Sequence, residues 1–189
     1  MAFDSLFDEF VRYVNRSERE PVMASDSPGS VLVGEPNELG FSDWKIRLFP
    51  NVTWVAELEE RLPARYPAAY RSLISRYIYP GFQGGGIFFF ANTPEGTDWL
   101  ELRTRTFNDP ILSKVLLSNR LLPFGLPDEA NYDQICFDAG RRNYRGDCPI
   151  VVVDHKAVLQ FEKIRIIKEL SPSFSEWITN ITGGSRAPL

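Results

Sequence analysis

His155 is the single histidine among 189 residues, so histidine-based acid–base or nucleophilic machinery would have to be assembled around it. The carboxylates within reach in sequence are Asp154, which follows the run PIVVV, and more remotely Asp138. In an extended chain, neighbouring side chains point to opposite faces, which argues against a His155–Asp154 pair and for His155 as a strand-end hydrogen-bonding group. No Gly-x-Ser-x-Gly turn frames a serine, and Cys136 stands inside the apolar run QICFD, where burial raises a thiol's pKa. An enzyme using His155 with nearby aspartates is therefore the alternative, and no catalytic residue is assigned.

Metal and phosphate chemistry find little support. Cys136 and Cys148 fit neither a zinc ribbon nor a C-x-x-C redox pair and read as reduced thiols. One histidine, two cysteines and scattered aspartates offer no ligand spacing, so neither a metal nor a cofactor is expected. Gly84, Gly85 and Gly86 lack the Lys-Ser or Lys-Thr of a phosphate loop and run directly into IFFFA, which favours a turn or bulge. Arg141, Arg142 and Arg145 with Tyr144, joined by Arg103 and Arg105 if a sheet brings them together, come nearest to a nucleic-acid patch. Acidic residues outnumber basic ones 25 to 21, a net charge of -4, and Asp138 and Asp147 stand beside that patch, so no nucleic-acid partner is expected.

Chemistry of recognition remains. Trp99, Arg103 and Arg105 fall on one face of an alternating segment, Trp99 to Phe107, and Asp128, Glu129 and Asp133 fall in a polar loop. Tryptophan and arginine are favoured interface anchors, although Trp99 reads equally as core and the three acids as a solubilising loop. The first 60 residues carry 12 acidic against 5 basic side chains, leaving 13 against 16 in the remainder. Such asymmetry either steers a basic partner or marks a solvated helix face.

These residues have to be positioned by a chain whose period changes along its length. Phe3, Leu6, Phe7, Phe10, Val11 and Val14 form the stripe of an amphipathic helix. A polar connection from Ser17 to Ser30 leads to a short strand at Val31 to Val33, and Trp44 to Leu48 alternates as an edge strand. Two helices follow, one through Trp54, Val55, Leu58 and Leu62, the other from Tyr66 to Ile78, separated by Leu62-Pro63 and closed by Pro80-Gly81. Extended runs then dominate: Ile87 to Ala91, Trp99 to Phe107, Gln134 to Asp138, Pro149 to Asp154 and Lys163 to Leu170. Asp109 to Asn119 permits one or two helical turns, Leu121 to Gly125 a strand, and Phe174, Trp177, Ile178 and Ile181 a last helix before Gly183-Gly184. Helices first and short-linked strands after imply an α+β fold with a mostly antiparallel sheet.

The order of these signals resembles the SUKH superfamily of Smi/Knr-type domains. The matching segments are LPARYPAAYRSLI, GGGIFFF, LLPFG, YDQICFDAG ending at Asp138, RGDCPIVVVDHK ending at Asp154-His155, and ELSPSFSEWI around Ser173 and Phe174. The resemblance spans residues 51–180. It implies an antiparallel sheet with helices packed against it, no catalytic set, and recognition of a protein partner; bacterial single-domain members are immunity proteins that bind and block a cognate toxin of a polymorphic toxin system. A regulatory scaffold like the fungal members is a second binding-class reading. Residues 1–50 would be a helix and linker packed on the core, and 181–189 a disordered tail. No run approaches the roughly 18 apolar residues of a membrane helix, and Asp4, Asp8 and Glu9 are unlike a signal peptide's start, so a cytoplasmic protein with no membrane partner is expected.

Overall fold

The computed structural model describes residues 4–17, 20–26, 29–49, 52–92, 101–127 and 132–183. The amino-terminal part comprises α1 (Asp4–Arg16), β1 (Val22–Met23), β2 (Leu32–Val33), β3 (Phe41–Trp44) and β4 (Arg47–Leu48). The helical pair α2 (Val52–Glu60) and α3 (Ala68–Arg76) follows, then β5 (Tyr77–Ile78), β6 (Phe82–Gly84) and β7 (Ile87–Phe89). Beyond them come α4 (Glu101–Phe107), α5 (Pro110–Ser118), β8 (Leu121–Pro127), β9 (Gln134–Asp138), β10 (Ile150–Val153), α6 (His155–Phe161), β11 (Ile166–Ser171) and α7 (Phe174–Thr182). The fold is α+β, and every strand pairing among the described residues is antiparallel. Among the described residues, no helix is long and apolar enough to cross a membrane.

The central sheet is a six-stranded meander in the order β11-β10-β9-β8-β7-β6, flanked by the small sheets β1-β3-β2 and β4-β5. Its two faces bury different clusters. Ile87, Phe89, Leu122, Phe124, Ile135, Phe137, Ile150 and Val152 share the main core with α1, α3 and α7, whereas Leu121, Cys136, Val151 and Val153 meet Val115 and Leu116 of α5 and Val158 of α6. Burial on both faces is why QICFD and PIVVV read as continuous apolar runs.

The main core is aromatic. Phe124 stacks on Phe137 with centroids 4.0 Å apart, Phe82 on Phe89 at 4.9 Å, and Phe174 on Trp177 at 5.8 Å. Burying each such side chain is worth roughly 1.5–3 kcal/mol. Phe7, Phe10 and Val14 of α1 belong to this core, and Asn15 clamps the helix to the next segment, accepting from the Ile46 amide at 2.9 Å and donating to the Ile46 carbonyl at 3.2 Å.

Local chemistry explains several boundaries. The glycine run is a two-residue hairpin turn: Gly84 pairs with Ile87, and Gly85 and Gly86 both have positive φ, 58° and 79°. A Cβ at Gly85 would also lie 2.7 Å from the Trp177 ring, so this turn has to be bare for α7 to pack. Pro123 is accommodated within β8 because the register slips there, Phe124 being an extra residue between the Pro123–Cys136 and Gly125–Ile135 pairs.

Four expectations need correction. Trp99 to Phe107 is not a strand; its described part is α4, and Leu102 and Thr106, its buried residues, are four apart, a spacing shared by helical and alternating patterns. The helix expected from Tyr66 to Ile78 is shorter at both ends, since Tyr66 precedes Pro67 and Tyr77–Ile78 pairs with β4. Trp44 to Leu48 is not one strand: Trp44 ends β3, and Arg47–Leu48 belongs to another sheet. Finally, α7 runs through Thr182, with Ile181 buried, two residues into the stretch read as a tail.

Candidate functional site

Asp154 and His155 stand where β10 ends and α6 begins. Asp154 caps the helix: its Oδ1 accepts from the Lys156 and Ala157 amides at 2.8 and 3.1 Å, and its Oδ2 lies 2.5 Å from Arg165 Nη2. Asp133, just before β9, accepts at Oδ1 from the His155 amide at 3.0 Å and faces His155 Nδ1 at 2.9 Å. His155 is thus the first residue of a helix and not a strand-end group, and the two neighbours do not diverge as an extended chain would require. One ligand atom each from Asp133, Asp154 and His155 lies within 4.8 Å of the others. Both carboxylates are already spent on helix amides, the imidazole or Arg165. Asp138 sits at the opposite end of β9, holding the Gly140 amide at 3.1 Å and Arg141 Nε at 2.7 Å, so it does not converge with His155. The arrangement is a latch that fastens three consecutive elements of the sheet.

The Ala157 amide foremost, with the Lys156 amide and Arg165 adding to it, holds the Asp154 carboxyl below the usual carboxylate range against the opposing effect of desolvation. A folded value below the unfolded one means that the anion stabilises the fold at every pH above the unfolded value, and that this contribution disappears as pH falls through the folded value. Asp154→Asn is expected to lower the thermal midpoint near neutral pH and to match the wild type increasingly closely in strong acid. Parallel thermal melts across the acid range measure this; two curves separated by a constant gap would contradict it.

The three described recognition candidates, Arg103, Arg105 and Asp133, each have their own local surroundings. Trp99, Asp128 and Glu129 lie outside the described residues. Arg103 and Arg105 are on α4, where Arg105 pairs with Glu101 at 3.3 Å, while Arg103 lines a small groove of 140 Å³ with Trp54, Glu57 and Arg61. Asp133 is held within the latch. The arginine cluster also divides: Arg141 is neutralised by Asp138 at 2.7 Å and Glu169 at 2.8 Å, whereas Arg142 turns to the carbonyls of Gly146, at 2.6 Å, and Arg65. Both cysteines are free thiols, and burial pushes Cys136 well above its ordinary value and Cys148 up to about 11, leaving neither poised as a nucleophile.

What sequence reasoning missed is the outer edge of the sheet. Among the described residues β11 is the terminal strand, and it carries two irregularities against β10: Ile167 is an extra residue between the Val153–Ile166 and Val152–Lys168 pairs, and Leu170 another between Val151–Glu169 and Ile150–Ser171. Ile166 and Ile167 are 43% and 51% exposed, and Phe161, at the end of the helix that leads into this strand, is 67% exposed. The signal was present in KIRIIKEL: two adjacent isoleucines in a strand with charges on both sides cannot both be buried by simple alternation. No family model and no curated protein matches this chain.

Proposed function

We propose that this chain is a SUKH-type protein-binding domain, and that it acts as an immunity protein, neutralising a cognate toxin by occupying its surface. The observation that carries this reading is the β11 edge. Phe161, Ile166 and Ile167 are large apolar side chains exposed around a strand whose outer side pairs with no other described strand. Such an edge offers main-chain hydrogen bonds for affinity and side chains for selection. The two bulges, together with Lys163, Arg165 and Lys168, are devices that blunt an edge against indiscriminate pairing, so the occupant has to match this particular irregular strand.

The meander with helices on both faces agrees with what the resemblance implies, and the reading calls for no catalytic group: the aspartates nearest His155 serve as caps and latches. The test is co-expression with the toxin domain encoded immediately upstream. Host survival together with recovery of a stoichiometric complex is expected; killing without a complex would sink the immunity reading.

A further inference from the structure

A second surface carries chemistry that neither the latch nor the sheet edge uses. Between the start of α3 and the loop joining β9 to β10 runs a groove of 460 Å³ lined by Arg65, Arg71, Ser72, Ser75, Arg142 and their neighbours. Three guanidinium groups line it, and none of its lining residues is acidic. Glu59, beneath it, has a side chain only 4% exposed; one oxygen accepts from the Tyr66 amide at 3.1 Å, and the other meets Arg71 Nε at 2.8 Å. That carboxylate offsets one charge and fixes Arg71, leaving Arg65 and Arg142 uncompensated by any carboxylate among the described residues.

Arg142 is the telling member. Its two terminal nitrogens are held by neutral carbonyls, those of Gly146 and Arg65, so the side chain is ordered without losing its charge. The loop that presents it is itself rigid. Asn143 Oδ1 accepts from the Arg145 and Asp147 amides at 2.9 and 3.0 Å, Gly146 adopts φ 80°, and the Gly146 carbonyl also accepts from the Ala68 amide at 3.2 Å, joining loop to helix. A fixed guanidinium with no carboxylate paired to it among the described residues is a receptor prepared in advance, because little side-chain entropy remains to be lost on binding.

We propose that this groove is an anion-binding site that receives an acidic segment of a protein partner. Guanidinium groups match carboxylates in a two-point fork, and the Ser72 and Ser75 hydroxyls are further donors. A polynucleotide is the poorer fit: its phosphates need a continuous basic track, whereas this patch is confined to one groove on a chain of net charge -4. The Arg141–Glu169 pair ties the same loop to the carboxy-terminal half of β11, the strand proposed to meet the toxin. This inference rests on the protein-binding reading and deepens it.

The probe is a short fluorescent peptide rich in aspartate and glutamate, followed by anisotropy at two salt concentrations, with a single-stranded oligonucleotide of equal charge beside it. Saturable, salt-sensitive peptide binding is expected, weakened about tenfold or more by Arg65→Glu and by Ser75→Glu. The first inverts a cation and the second places a carboxylate in the groove without touching an arginine. Lys45→Glu, at an exposed position between β3 and β4, controls for net charge and is expected to change binding little. Absence of saturable binding, equal loss in Lys45→Glu, or tighter oligonucleotide binding that Ser75→Glu abolishes would each overturn the proposal. No peptide binding alongside intact host protection rejects the groove but not the immunity reading; peptide binding lost in both groove variants, with no protection by the wild type, does the reverse.

Discussion

Ile167→Asp is expected to weaken the complex with the cognate toxin domain about a hundredfold, roughly 2.7 kcal/mol, while leaving the protein as stable as the wild type. Ile167 is the extra residue of a bulge on the outermost strand and is half exposed, so an aspartate there costs little internal packing. In a complex the same aspartate would be stripped of water among apolar anchors, a cost that the isoleucine does not carry. Titration calorimetry with the purified toxin domain measures the loss, and thermal melting of the free variant checks the fold. Undiminished affinity in Ile167→Asp would remove the β11 edge from the interface, whatever the co-expression result.

The second large effect is structural. Asp147→Ala is expected to destabilise the protein by about 3 kcal/mol, lowering its thermal midpoint by roughly 6 to 12 °C. Asp147 is buried, and both carboxylate oxygens are engaged: Oδ1 accepts from the Cys148 and Phe174 amides at 2.9 and 3.2 Å, Oδ2 from the Ser175 amide at 3.2 Å and the Ser175 hydroxyl at 2.9 Å. It thereby satisfies amides at the start of α7 that Ser173, bonded to the Glu176 amide, does not reach. Alanine leaves these donors buried and unmatched and loosens the seat of Phe174 and Trp177. Asp147→Asn keeps one acceptor oxygen and is expected to lose less. Equilibrium unfolding in urea separates the two; a loss for alanine below about 1 kcal/mol would show that α7 is held by its apolar face alone.

Much of the secondary structure was legible because its causes are local. The stripe from Leu6 to Val14, the proline break between α2 and α3 and the apolar face of α7 from Phe174 to Ile181 are each set by residues within a few positions of one another. The alternation of short apolar runs with turn residues was also enough to imply an antiparallel meander. Where two periods coincide, local reading failed: Leu102 and Thr106 suit a strand as well as they suit α4. The same ambiguity holds at His155, because an aspartate closing an apolar run marks the end of a strand and is equally the N-cap of a helix, here α6.

The amino-acid sequence by itself determined the α+β class, the positions of α1, α7 and most strands of the sheet, and the buried state of Cys136, since these depend on composition, periodicity and neighbours along the chain. Only the tertiary structure decided which surfaces are available. Arg142 meets Arg65 across 77 positions, Arg141 meets Glu169 across 28, and Asp133 meets His155 across 22, and no short-range pattern encodes such separations. Whether Ile166 and Ile167 are covered or bare depends on the sheet ending at β11, and whether an arginine is neutralised or left charged depends on which carboxylate the fold brings beside it. Exposure and charge compensation are properties of long-range packing, and it is packing that separates a candidate binding residue from a structural one.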